Sequence, residues 1–77
     1  MNVDKKVKNI LVELSGENNI KNDMTLQEDL LLDSLLMVTL LIEIEETFNI
    51  QLDESDMNPL ELTTVKSVID LVNKYIG

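Results

Sequence analysis

From Leu35 to Ile44 only Thr39 and Glu43 interrupt an otherwise apolar run, and no other stretch of the chain constrains the fold as strongly. The run is far shorter than the roughly 20 residues a membrane-spanning helix needs, so the rest of the same chain must cover it. At 3.6 residues per turn, Leu36, Leu40, Ile44 and Phe48, with Met37 and Leu41 beside them, make one broad core-facing stripe. A second set, Leu35, Val38 and Ile42, projects onto a different face bordered by Glu45 and Glu46. Burying both sets would surround this helix with protein, which a chain of 77 residues cannot do. The second set is therefore expected to stay at least partly exposed. Asp33 and Ser34 stand at the entrance, where side-chain oxygens accept the unpaired N–H groups of a first turn, and predict a helix from about Ser34 to Asn49.

The remaining segments supply the cover. Val3, Val7, Ile10, Leu11 and Leu14 recur at helical spacing and predict a first helix over about residues 2–15, stopped by Gly16. Lys5, Lys6 and Lys8 read as its solvated face. From Gly16 to Leu32 the period breaks, with Asn18, Asn19, Asn22 and Asp23 as turn residues and Leu26, Leu30 and Leu31 as expected anchors. Thr25-Leu26-Gln27-Glu28 has the form of a capping box for a single helical turn. Residues 49–62 read as a connector with a short helical turn capped by Asp53, and Pro59 either ends that turn or opens another. Thr63 or Thr64 then caps a last helix, Val65 to Ile76, whose core face is Val65, Val68, Ile69, Val72 and Ile76. The expected fold is all-α: one domain over residues 1–77, a small four-helix bundle with a long loop between the first two helices and a short third helix.

The residue inventory removes most chemistry. Without His or Cys the chain has no Ser-His or Cys-His pair, and no imidazole or thiolate for a metal. Gly16 and Gly77 are the only glycines, so no glycine-rich phosphate loop exists. Asp53, Glu54 and Asp56 lack the alternation and the glycine of a calcium loop. The expectation is a protein that is not an enzyme and holds no metal. A formal net charge of −9 argues against nucleic acid and for basic protein surfaces as partners. With neither an apolar leader nor a membrane span in the sequence, the expected location is the cytoplasm and the expected state a monomer.

Three stretches then carry a family resemblance: Leu32-Asp33-Ser34-Leu35, Ile44-Glu45-Glu46-Thr47-Phe48-Asn49-Ile50, and Leu62-Thr63-Thr64-Val65 with Ile69 and Leu71-Val72 beyond it. In order and spacing, over nearly the whole chain, they resemble the acyl carrier protein family. The resemblance implies that Ser34 carries 4′-phosphopantetheine derived from coenzyme A, whose thiol holds acyl or aminoacyl intermediates as thioesters. It implies a phosphopantetheinyl transferase as one partner and acyl- or aminoacyl-loading and acyl-processing enzymes with basic docking surfaces as others. Asp33 is assigned to capping the helix and presenting Ser34, and Leu35, Val38, Thr39, Ile42, Glu45 and Glu46 to docking.

The chain also departs from the commonest pattern. Fatty-acid carriers usually have a glycine shortly before Asp-Ser-Leu and acids early in the second helix, where this chain has Leu31, Leu32, Leu36 and Thr39. That entrance, and Asp56-Met57-Asn58-Pro59 later, look more like stand-alone peptidyl or D-alanyl carriers, whereas the overall acidity is similar to that of fatty-acid carriers. A dedicated secondary pathway is therefore expected ahead of housekeeping fatty-acid synthesis. The alternative is an unmodified acidic helical module that uses the same face as a subunit or adaptor.

Overall fold

The computed structural model describes residues 2–58 and 61–76. Among these residues, three α-helices, α1 (Val3–Ser15), α2 (Ser34–Phe48) and α3 (Val65–Ile76), are joined by long connections, and a 3₁₀ turn at Glu54–Asp56 lies between α2 and α3. Helix α1 packs against both of the others. The core is aliphatic apart from Phe48 and the thioether of Met37, with Val7, Leu11, Leu26, Leu40, Ile44, Val65, Val68 and Val72 fully buried. No polar side chain is buried among the described residues.

Each helix ends where its caps dictate. Asn2 Oδ1 accepts from Lys5 N–H at the start of α1, and Gly16 closes it in the left-handed region at φ 79°. Asn49 closes α2 in the same way at φ 54°. Thr64, not Thr63, caps α3: its Oγ1 accepts from Ser67 N–H while its own N–H donates to Ser67 Oγ. The short third element expected from sequence is the 3₁₀ turn, capped by Asp53 as expected. Its hydrogen bonds, Asp56 N to Asp53 O and Met57 N to Glu54 O, both close over three residues. An acidic segment with few apolar residues has no stripe to bury, and a longer helix would have nothing to hold it. Pro59, expected to end that turn or open another, lies outside the described residues.

The long loop is held by backbone pairing as well as by its leucines. Leu26 N–H donates to Thr63 O, Val65 N–H to Met24 O and Lys66 N–H to Asn22 O, and Thr25 bridges Thr64 antiparallel. The bonds from Val65 and Lys66 satisfy N–H groups at the start of α3 that have no partner inside the helix. The single turn expected after Thr25 is present, but its reciprocal partner is Asp29 rather than Glu28. Thr25 N–H donates to Asp29 Oδ2, and Asp29 N–H to Thr25 Oγ1.

Two expected core residues are corrected. Leu31 is 76% exposed and does not anchor the loop; Leu32, beside Leu26 and Leu30, does. Leu30 N–H is held by Thr25 O and Leu32 N–H by Leu26 O, so both neighbours turn inward and Leu31 is driven out, at φ 57°. In α3 the buried face includes Leu71, while Ile76 in the terminal turn is exposed and Tyr75 carries that end of the stripe.

Candidate functional site

Ser34 is the first residue of α2 and is exposed, and no protein hydrogen bond engages its hydroxyl among the described residues. The loop and helix meet at Asp33, whose extended backbone turns the chain and whose Oδ1 accepts from Leu36 N–H at 2.9 Å. Met37 N–H donates to Asp33 O, so the N–H groups of Ser34 and Leu35 remain at the open end of the helix. That end carries the positive pole of the helix and has no acid in its first turn. A phosphodiester on Ser34 fits this position: its nucleophile is free, and negative charge there is favoured by about 0.3–1 kcal/mol.

The second apolar set of α2 lies exposed beside it. Leu35 is 74% exposed, and Val38 and Ile42 are 46% exposed, while Met37, Leu40, Leu41, Ile44 and Phe48 fill the core from the opposite side. Leu36 lies between, partly buried against the core. Thr39 donates its hydroxyl to Leu35 O, so it adds no unmet polar group to the face. Glu46 is exposed on the same face. Glu45 is not its equivalent: it is half-buried, and its Oε2 accepts from Leu52 N–H at 2.8 Å. That carboxylate fastens the segment after α2 to the helix, seven residues away in sequence, a role the sequence reading missed.

A polar clasp holds the same connection from the other side. Tyr75 Oη accepts from Asp53 N–H and donates to Asp56, and Lys74 Nζ reaches Asp56 Oδ1 at 3.0 Å. The Tyr75 hydroxyl, then Lys74, hold the Asp56 carboxyl below its ordinary value, and bonding to Asp56 raises Lys74 and Tyr75. Hydrogen bonds from Ser55, the backbone one first, lower Asp53. All of this lies toward the C-terminal end of α2, so it steadies the fold and takes no part in chemistry at Ser34. No group of acids, among the described residues, is arranged to hold a metal. Nor is any described helix long and apolar enough to cross a membrane.

Comparison with known proteins covers most of the chain. Residues 5–72 match the family model described as a phosphopantetheine attachment site. The chain is 39% identical to an acyl carrier protein of Buchnera aphidicola subsp. Baizongia pistaciae (strain Bp), over 97% of this chain and 96% of that relative.

Proposed function

The chain belongs to the acyl carrier protein family, and from that premise we propose that its prosthetic arm is attached through Ser34 Oγ. As a member of that family it is a carrier, not an enzyme, and holds acyl groups as thioesters on 4′-phosphopantetheine. When bound, the group supplies the thiol the polypeptide lacks, on an arm that other enzymes can reach. The observation that carries the assignment is the exposed, unengaged hydroxyl of Ser34 at the positive end of α2. In loading, Ser34 Oγ bonds to the β-phosphorus of coenzyme A, the pyrophosphate linkage breaks, and adenosine 3′,5′-bisphosphate leaves. The hydroxyl proton passes to a base of the transferase. Asp33 holds the first turn so that the hydroxyl is presented at the loop–helix junction.

The carrier works with the transferase that loads it and with acyl-processing enzymes. Leu35, Val38, Thr39, Ile42 and Glu46 form the docking face of the proposal, with Glu45 retained for the fold. The carrier acts as a monomer, and a pathway other than housekeeping fatty-acid synthesis is supported by the acid-free first two turns of α2. Incubation with coenzyme A and a broad-specificity phosphopantetheinyl transferase is expected to add one phosphopantetheine to the wild type and none to Ser34→Ala. Labelling of Ser15, Ser55 or Ser67, or no gain in mass, would refute the assignment and favour the unmodified module.

A further inference from the structure

Leu31 combines two properties that a folded chain rarely tolerates together. Its backbone is left-handed, at φ 57°, where a side chain with a Cβ is strained, and the side chain is 76% exposed, so burial returns little. Strain of this kind persists where function uses the side chain. Leu31 stands three residues before Ser34 and Leu35 one after, so two exposed leucines flank the hydroxyl. Val38 and Ile42 continue the strip along α2, and no acid appears in that helix before Glu43. The nearest acid in sequence, Asp33, is engaged as the cap.

We propose that Leu31 and Leu35 form an apolar bracket around Ser34 that seats in an apolar recess of the phosphopantetheinyl transferase, with a basic group of that enzyme meeting Glu46 farther along α2. The inference rests on Ser34 being the attachment point. Transfer requires the enzyme to bring coenzyme A to bonding distance of Ser34 Oγ, so its surface must touch the residues immediately on either side. Along the axis Ser34 is about 18 Å from Glu46, which separates an apolar contact at the reacting end from a charged one beyond it. A second copy of this chain fits the strip poorly. Four side chains fall well short of the ~800 Å² per partner of a stable interface, and two copies of net charge −9 repel.

The test is the rate of loading by a broad-specificity transferase with coenzyme A, measured over a range of carrier concentrations at low and high salt. Leu31→Gly and Leu31→Asn, both suited to the left-handed backbone, are expected to raise KM about ten-fold with kcat unchanged, the effect of losing most of one buried leucine. Leu31→Met, which keeps an apolar side chain, should restore KM. The loss should persist at high salt, where the effect of Glu46→Gln fades. Loading of all variants with one KM would overturn the bracket alone, whereas failure of the wild type to be loaded at Ser34 would overturn the attachment reading and the bracket with it. Concentration-dependent dimerisation abolished by Leu31→Gly would show that a second copy covers the strip, and would also overturn it.

Discussion

Replacing Leu31 by alanine and by glycine separates backbone strain from side-chain packing. Both substitutions remove the leucine side chain, which at 76% exposure contributes little to the core, about 0.5 kcal/mol of the 1.5–3 kcal/mol for full burial. Alanine keeps the Cβ that makes φ 57° unfavourable, and glycine does not. The glycine variant is therefore expected to be the more stable of the two by about 1 kcal/mol, after allowance for the greater freedom of its unfolded chain. For a domain of this size that difference separates the two melting temperatures by about 4–8 °C. The same pair at Asn73, exposed within α3, should run in the opposite order by about 1 kcal/mol, because glycine in a helix interior only loses entropy. Thermal unfolding followed by circular dichroism measures both pairs. An alanine variant at position 31 as stable as the glycine variant would mean that the left-handed backbone is not strained, and would remove the physical basis for Leu31 as a functional residue.

Other perturbations probe the caps and clasps. Asp33→Ala should cost about 0.5–2 kcal/mol by freeing Leu36 N–H, and Asp33→Asn much less, as read by denaturant unfolding. Glu45→Ala should cost about 1–3 kcal/mol by leaving Leu52 N–H without its acceptor, whereas Glu46→Ala should stay within about 0.5 kcal/mol; equal losses would deny Glu45 its structural role. The Asp56 carboxyl is held below its unfolded value, so the stability it contributes is present above about pH 4 and is lost as pH falls through the lower folded value. Wild type should therefore melt above Asp56→Asn at neutral pH, and the gap should close on acidification below that range. A gap independent of pH would show that the charge on Asp56 is immaterial.

The sequence by itself determined everything that depends on near neighbours along the chain. The spacing of Val7, Ile10 and Leu11, of Met37, Leu40, Leu41 and Ile44, and of Val65, Val68 and Val72 specified three helices and their buried faces, since helical period and side-chain direction are local properties. Asp33 and Gly16 marked ends for the same reason. The surplus of apolar residues on α2 over what a small bundle can cover foretold that Leu35, Val38 and Ile42 would be exposed beside Ser34. Tertiary structure alone decided what the connections do. Whether Leu31 or Leu32 points inward depends on how Thr25 and Leu26 hold the loop, and those residues are in turn fixed by pairing with Thr63 and Thr64, nearly forty positions away. Glu45 looked like one more surface acid until the segment after α2 brought Leu52 N–H against it, and Tyr75 showed its partners only once α3 lay beside Asp53 and Asp56. Loop residues have no period to read; their orientation is set by whichever distant backbone group satisfies their hydrogen bonds, and that is known only when the chain has closed on itself.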